Sequence, residues 1–219
     1  NYGAEYIFNA LQSTAQKLNI EDGSSVPTST RYPNGSTWAS AGAYINIQKR
    51  WEKQLTEAGV RYNHVSTSGT FDTTYINLPV PSYSNQNDAV TGSLSHLFYL
   101  KNGKLGLLAS TAFKSPNIDD ITKVFDSNVG YITVPNTQLK PEYAYNAEVN
   151  LTHKIGKRIE LISSVFYTYL TDVLTTTEST FNGQDSLLYD GVTSKVQHLD
   201  NQDYATVYGA QLAFSYKVN

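Results

Sequence analysis

The segment from Phe113 to Val149 is the most informative about the fold; it begins FKSPNIDDITKVF and ends VPNTQLKPEYAYNAEV. From Tyr143 onward, apolar and polar side chains alternate along the chain. One face carries Tyr143, Tyr145, Ala147, Val149 and Leu151, and the other carries Ala144, Asn146, Glu148, Asn150 and Thr152. A period of two predicts a β-strand with one apolar and one polar face. Because a preceding strand ends at Phe113, the stretch is predicted to be strand, long loop, strand.

A short helix is predicted inside this loop. Ser115 followed by Pro116 is a typical helix start, since Pro is tolerated at the first helical position behind a capping Ser. Asp119 and Asp120 then fall in the first turn, where the helix dipole favours acidic residues. Three apolar residues share one side of the predicted helix: Ile118, Ile121 and Phe125.

Composition narrows the class of protein. Only 16% of the 219 residues are charged, against about 25% in an average soluble domain, and 17 are Tyr. Cysteine is absent, which excludes disulfide scaffolds, thiol catalysis and Cys-based zinc sites. A net charge of -3 gives no support for nucleic-acid binding, which requires a basic stripe.

Neither a membrane-spanning helix nor a signal peptide is predicted. No run approaches the roughly 20 apolar residues of a transmembrane helix, and nothing near Asn1 has the layout of a signal peptide. Methionine is also absent, and the sequence begins in the middle of a predicted strand. We therefore expect a processed or excised piece of a longer protein.

Eight strands are predicted from alternation. Lys101-Asn102-Gly103-Lys104 is the strongest local signal, because Asn-Gly between alternating runs is a two-residue hairpin turn. In the third strand the alternation is weak, and it places Arg61 and Asn63 on the polar face. The predicted strands cover approximately residues 2–11, 37–51, 58–69, 90–100, 105–113, 143–155, 159–169 and 204–218.

The connections between these strands alternate between long and short. In an up-and-down meander this puts every long loop at one end, here called the loop end, and every tight turn at the other, the turn end. The long segments 13–36, 70–88, 115–142 and 172–203 hold five basic and fourteen acidic residues, whereas the turn end is basic. We expect the last of them to contain a small hairpin of its own.

Alternation by itself fits two environments, a soluble β-sandwich and a membrane β-barrel. Tyrosines near strand ends and strands of about 9–11 residues or slightly more are typical of a barrel in a membrane. The asymmetry between long loops and short turns favours the same class. The predicted fold is therefore all-β, an antiparallel up-and-down meander that forms part of a transmembrane β-barrel.

Two elements of the opening stretch resemble a known family. Phe113-Lys114-Ser115-Pro116-Asn117 is similar to an F-R-A-P-N element, and the segment from Pro135 to Glu142 is similar to an N-P-x-L-K-P-E element. Both belong to the β-barrel of TonB-dependent outer-membrane receptors, where they lie on one extracellular loop and its flanking strands. Weaker similarity occurs at YGAEY near the start, GVRYNH at 59–64 and VYGAQL at 207–212.

The resemblance implies a receptor in the bacterial outer membrane that imports an iron chelate, haem, cobalamin or a glycan. Outer-membrane lipid, the ligand and the TonB complex are the implied partners, TonB acting through an N-terminal plug. That plug, the energy-coupling box and the terminal aromatic residue are missing here, and the family barrel has roughly 22 strands. We expect residues 1–219 to be one fragment of a barrel domain, with no enzymatic activity, no cofactor and no nucleic-acid partner. An acidic loop end disfavours a strongly anionic ligand.

The polar clusters of the sequence are interpreted as structural and not as catalytic or metal-binding sites. The four histidines, His64, His96, His153 and His198, have no metal-ligand spacing and are interpreted as scattered pore, surface or girdle residues. Asp119 and Asp120 are interpreted as helix-start acids and not as a catalytic pair. Two oxygen-rich clusters lack the calcium-loop pattern and are interpreted as solvated turns: Asn85, Asn87 and Asp88, and Asp200, Asn201 and Asp203. Catalytic and metal residues are thus predicted to be none, and the ligand-binding residues are unknown.

Two alternatives remain open at this point. A soluble β-sandwich or lectin-like module would recognise sugars through Trp38, Trp51 and loop tyrosines. An enzyme in an eight-stranded barrel of outer-membrane lipase type would need a Ser/His/Asp signature, which the sequence does not show.

Overall fold

The computed structural model describes residues 1–74, 81–128, 130–189 and 191–218, and for 125–128 only the backbone. In chain order the elements are β1 (Tyr2–Ala10), β2 (Gln16–Leu18), β3 (Ser25–Pro27), β4 (Thr37–Arg50), β5 (Gln54–Thr70), β6 (Ser82–Leu100), β7 (Gly103–Lys114), α1 (Ile118–Thr122), β8 (Phe125–Asn128), β9 (Tyr131–Thr133), β10 (Glu142–Ile155), β11 (Ile159–Glu178), β12 (Ser186–Tyr189) and β13 (Val192–Tyr216). No helix in these ranges is long and apolar enough to cross a membrane.

Eight long strands form one continuous sheet in the order β1-β4-β5-β6-β7-β10-β11-β13. Every neighbouring pair among them is antiparallel. The sheet remains open, with β1 at one edge. This arrangement confirms the predicted up-and-down meander and its reading as part of a barrel.

The connections alternate in length as predicted. Short turns of two or three residues join β4 to β5, β6 to β7 and β10 to β11, and longer segments join the other pairs. Since consecutive long strands are antiparallel, all the longer segments lie at the loop end. Residues 75–80 of the predicted segment 70–88 lie outside the described residues. The prediction of a loop up to residue 88 was wrong, because β6 begins at Ser82 and pairs with β5 from there.

The registers align side chains of like polarity across the sheet. One row runs through seven strands on the apolar face: Ile47, Ala58, Leu94, Ala109, Ala147, Tyr167 and Tyr208. The next row along the strands is mostly polar: Asn46, Gly59, Ser93, Ser110, Asn146, Thr168 and Val207. Exposed large hydrophobic side chains are concentrated on the apolar face. In a soluble protein such side chains are mostly buried in a core.

The polar assignment of Arg61 and Asn63 is confirmed. Arg61 forms an ion pair with Glu5 of β1, and its Nε donates to Asn63 Oδ1 at 2.5 Å. Both residues therefore lie on the polar face, although β5 begins at Gln54, earlier than the predicted start near residue 58.

Aromatic rings lie side by side at the loop end of the apolar face. The rings of Phe113 and Tyr143 are 6.2 Å apart between centroids, and those of Tyr169 and Tyr204 stack at 5.7 Å. Rings in such a row, between an apolar wall and polar loops, are typical of the aromatic girdle of a membrane barrel.

The prediction of a loop over residues 172–203 was wrong. β11 continues to Glu178 and β13 begins at Val192, and the two pair as far as Glu178 and Gln197. The expected hairpin exists within this region, formed by β12 and the start of β13. On its other side β13 pairs in parallel with β9, so neighbouring segments stabilise strands that carry little apolar alternation.

Two local predictions require correction. Leu100 pairs with Gly103, so Lys101 and Asn102 are the turn residues and Gly103 is the first residue of β7. Gly103 is required for another reason: a Cβ there would overlap the carbonyl oxygen of Thr152 on β10.

The helix is present but starts later than predicted. Its N-cap is Asn117 rather than Ser115, because Asn117 and Asp120 form a reciprocal capping box. The helix ends at Thr122, so Phe125 belongs to β8 and not to the helix.

Buried apolar residues are grouped at the loop end. One cluster consists of Phe71, Tyr83, Ile121 and Leu139, and another of Ile132, Val134 and Val196. Among the described residues, these clusters are built from loop segments, α1 and the strand ends at the loop end, while the apolar face of the sheet has no protein packed against it.

Candidate functional site

The loop from residue 115 to 141, which carries both motif elements, is tied to the strands on each side of it. Pairing between β6 and β7 stops at Ser93 and Ser110, and the loop-end half of β6 contacts this loop instead. Asn85 Nδ2 donates to the carbonyl oxygen of Leu139 at 3.0 Å, and Asn87 Nδ2 donates to Ser115 Oγ at 2.9 Å. We call these contacts and those of the next paragraph the loop clasp.

On the other side, the loop clasp reaches β11 and β13. The amide of Lys140 donates to Asn201 Oδ1 at 2.8 Å, while Asn201 Nδ2 donates to the carbonyl oxygens of Lys140 and Asp172 at 3.0 and 2.7 Å. Asn136 Nδ2 donates to the carbonyl oxygen of Leu199 at 2.9 Å. The motif glutamate, Glu142, accepts the amide of Leu174 at 2.6 Å.

Lys114 completes the loop clasp electrostatically. Its ammonium group lies 3.3 Å from Glu142 and 3.8 Å from Asp120. The lysine thus joins the first motif element to the second and to α1. Two neighbouring carboxylates therefore explain a cation at this position.

Packing holds the same loop down. Ile121 is fully buried and Leu139 is 2% exposed, and both pack with Phe71, which follows β5, and with Tyr83, at the start of β6. Burial raises the pKa of Tyr83. The two motif elements therefore act structurally, by fixing the shape of the loop end, and their side chains are largely committed to contacts within the chain.

A cleft opens beside this fixed loop, on the polar face at the loop end. It has a volume of about 510 Å³ and is formed by three segments that are far apart in sequence. These are the end of β1, the loop and first residues of β4, and the start of α1. The lining residues are Asn9, Ala10, Leu11, Tyr32, Trp38, Asn117, Ile118 and Asp119.

Backbone hydrogen bonds set the first two walls of the cleft. The amide of Leu11 donates to the carbonyl oxygen of Ser36 at 2.8 Å, and the amide of Gly35 returns a bond to Leu11 at 2.9 Å. Trp38 stands directly opposite Asn9 in the β1–β4 ladder. The indole and the amide are therefore neighbours on the polar face of the sheet.

Arg31 sets the third wall. Its guanidinium makes three hydrogen bonds of 3.0 to 3.1 Å to both carboxylate oxygens of Asp119, and it lies over the ring of Tyr32 at 5.3 Å. This fork-to-fork geometry connects the loop before β4 to α1 and compensates the charge of Asp119.

The two tryptophans occupy opposite ends of the sheet. Trp38 lines the cleft at the loop end, whereas Trp51 follows β4 at the turn end, with the Lys49 ammonium 5.1 Å from its ring centroid. A joint sugar site of Trp38 and Trp51, as in the lectin-like alternative, is therefore excluded. Within the described part of the chain, the large sheet has no second sheet packed face to face against it, as a sandwich requires; the other sheet is the small β2–β3 hairpin.

The predicted role of the two oxygen-rich clusters as solvated turns was wrong. Asn85, Asn87 and Asp88 lie within β6, and Asp200, Asn201 and Asp203 lie within β13. Asn85, Asn87 and Asn201 serve the loop clasp, and Asp88 accepts from His64 Nδ1 at 2.9 Å. Among the described residues, no group of three His, Asp or Glu side chains is placed to hold a metal ion.

The remaining histidines lie apart from one another. His96 Nδ1 bonds Thr56 Oγ1 at 2.8 Å on β5 and β6, and His198 Nδ1 lies 3.2 Å from Ser179 Oγ. Asp119 and Asp120 are divided between Arg31 and the capping box. The structure thus brings none of these predicted candidates into the cleft except Asp119.

Sequence reasoning did not assign Asn9 or Asn117 to a site, and it covered Tyr32 only among the loop tyrosines of the lectin-like alternative. Neither their spacing nor their types carries a signal, because they come from segments separated by more than twenty residues, which are brought together by the β1–β4 ladder, by the backbone bonds of Leu11 and by the Arg31–Asp119 contact.

The structure is a large antiparallel meander with an apolar outer face, a row of aromatic rings and long loops at one end. These features define an integral β-barrel protein of the membrane. The family model for "TonB dependent receptor-like, beta-barrel" matches residues 1–219, and the chain belongs to this family.

Solved structures of similar fold agree with this assignment. The copper transporter OprC is 14% identical with a TM-score of 0.74, covering 100% of this chain and 32% of its own. The Serratia marcescens hemophore receptor HasR, solved with its hemophore HasA and heme, is 13% identical with a TM-score of 0.71 and covers 99% and 36%. The FrpB iron transporter from Neisseria meningitidis is 15% identical with a TM-score of 0.60 and covers 100% and 30%.

This chain spans about a third of the length of these structures. The family and these neighbours are receptors and transporters. No curated protein sequence matches the chain.

Proposed function

We propose that this chain is part of the barrel of a TonB-dependent receptor in the bacterial outer membrane. The receptor captures a scarce ligand at its loop end and imports it into the periplasm. The observation that carries the proposal is the cleft between β1, β4 and α1, which lies on the polar face of a family barrel and at its ornate end. By name, neighbouring proteins of this fold include a copper transporter, an iron transporter and a hemophore receptor whose structure contains heme.

In this proposal residues 1–219 supply part of the barrel strands and their loops, and not the complete transporter. Outer-membrane lipid contacts the apolar face, and a plug domain elsewhere in the receptor contacts the TonB complex. The ligand belongs to the classes that such receptors import: an iron chelate, haem, cobalamin or a glycan. The chain has no enzymatic role.

The test is uptake in cells that produce the whole receptor. Three strains are compared: one with the gene deleted, one complemented with the gene, and one complemented but depleted of TonB. Each is supplied with labelled ferric chelates, haem, cobalamin and oligosaccharides. The proposal expects one ligand to accumulate only in complemented cells with TonB present, and the protein to be found in the outer-membrane fraction. Accumulation that is independent of TonB, or a protein in the soluble fraction, would refute it.

A further inference from the structure

The charge balance of the cleft points to an uncharged ligand. Among the described residues that line it, Asp119 is the single ionisable acid or base, apart from the phenol of Tyr32. Both of its carboxylate oxygens accept hydrogen bonds from Arg31. A charged ligand would therefore meet no uncompensated partner at this wall, and the acidic loop end would repel an anion further.

Two aromatic side chains supply the apolar part of the lining. Trp38 and Tyr32 are each partly buried, so their rings are held by the surrounding structure and still present surface to the cleft. Rings of this kind offer a large, rigid contact area with a polar group at the edge. The volume of about 510 Å³ falls within the roughly 300–1,000 Å³ of small-molecule pockets.

Two amides supply directional hydrogen bonds beside the rings. Asn9 is exposed and faces Trp38 across the ladder. Asn117 Oδ1 already accepts the amide of Asp120 at 2.9 Å, so Asn117 acts toward a ligand as an NH2 donor. Amide groups next to rings match a molecule with hydroxyl groups around an apolar ring face.

We propose that this cleft binds a neutral, polyhydroxylated ligand of the saccharide class. Trp38 and Tyr32 stack against the C–H faces of the sugar rings, and Asn9 and Asn117 bond the hydroxyl groups. The inference rests on the proposed function and narrows its four ligand classes to glycans. It also assigns the contact to Trp38 alone of the two tryptophans.

The experiment measures binding to outer membranes from cells that produce the whole receptor. The probes are fluorescently labelled maltohexaose, laminarihexaose, xylohexaose and mannohexaose, with ferric citrate as the anionic comparison. Trp38→Ala is compared with Trp51→Ala, the same substitution at the opposite end of β4. Trp38→Phe keeps a ring and guards against loss of the Ala variant through misfolding, and surface proteolysis verifies the fold of each variant.

We expect at least one oligosaccharide to bind, binding to weaken at least tenfold in Trp38→Ala, and Trp51→Ala to bind as the unaltered protein does. Trp38→Phe should retain more binding than Trp38→Ala. If Trp38→Ala does not reach the membrane, Trp38→Phe decides: a measurable loss supports the site, and unaltered binding overturns it. Absence of binding by every oligosaccharide, or equal binding by the two Ala variants, also overturns it.

Uptake separates this inference from the proposed function. If TonB-dependent accumulation is found for ferric citrate or haem while no oligosaccharide binds, the saccharide assignment fails and the transport function stands. If an oligosaccharide binds through Trp38 but its accumulation does not depend on TonB, the transport function fails and the saccharide site stands.

Discussion

Replacing Ile121 by Ala should loosen the loop end without unfolding the barrel wall. Ile121 is fully buried and packs against Phe71, Tyr83 and Leu139. Ile121 and Leu139 belong to the β7–β10 connection, whereas Phe71 follows β5 and Tyr83 lies at the start of β6, so the cluster holds two neighbouring loop regions together. The long strands make their hydrogen bonds independently of it, and the barrel should therefore remain folded in the variant.

The magnitude follows from the atoms removed. Ile→Ala deletes three carbons, each worth about 0.8 kcal/mol when buried, and the residual cavity raises the cost to about 3 kcal/mol. Partial relaxation of the cavity is expected to be limited, because the loop clasp holds both sides of the loop. Since 1.4 kcal/mol is a factor of ten, the opened loop should be populated roughly 100-fold more.

The assay is trypsin cleavage after Lys123, two residues beyond the substitution, in the purified receptor in detergent. When opening is fast relative to cleavage, the cleavage rate follows the population of the open form. Ile20→Ala is the matched control, because Ile20 lies at the same end and is 93% exposed; it should change cleavage less than threefold. If Ile121→Ala changes the cleavage rate at Lys123 by less than threefold relative to the unaltered protein, this cluster does not hold the loop.

Three further outcomes are expected. Gly103→Ala should lower the temperature at which the barrel loses its heat-modifiable migration in SDS gels, because the new Cβ overlaps a backbone carbonyl of β10; Gly106→Ala, whose Cβ would meet its nearest atoms at 3.7 Å, should not. Asn201→Ala should destabilise the loop clasp by about 1–3 kcal/mol, seen as faster amide exchange in residues 136–141, and an unchanged exchange rate would contradict the role assigned to it. The Ser24 hydroxyl and amide lower the pKa of Asp22 in the folded chain. This turn is therefore stabilised above the unfolded pKa of about 3.9, and its amides lose protection from exchange as the pH falls from there through the lowered folded pKa. Protection of the Ser24 amide that stays constant from pH 6 to 3, after correction for intrinsic exchange, would argue against this.

Most of the sheet could be predicted because its signal is local. Each long strand has its own period of two, and alternation alone assigned the faces correctly even for β5, where Arg61 and Asn63 lie on the polar side. The alternation of long and short connections then followed from strand positions. What failed was the extent of three strands: β6, which begins at Ser82 and not near residue 90, and β11 and β13, whose ends beyond the apolar band are mostly polar and lose the period of two. There the pairing with β9 and β12 decides the structure.

Local sequence patterns were enough to predict the barrel wall, with its apolar face, its polar face, its long-loop end and the motif loop of a receptor barrel. The role of the motif and the position of the cleft depend instead on contacts between distant segments. Lys114 forms its ion pair with Glu142, and Asn201 accepts the amide of Lys140, because strands from different parts of the sequence lie side by side at the loop end. The cleft has the same origin. Its walls come from three separate segments, and no local pattern can encode a contact whose geometry depends on register across several strands and on one Arg–Asp pair.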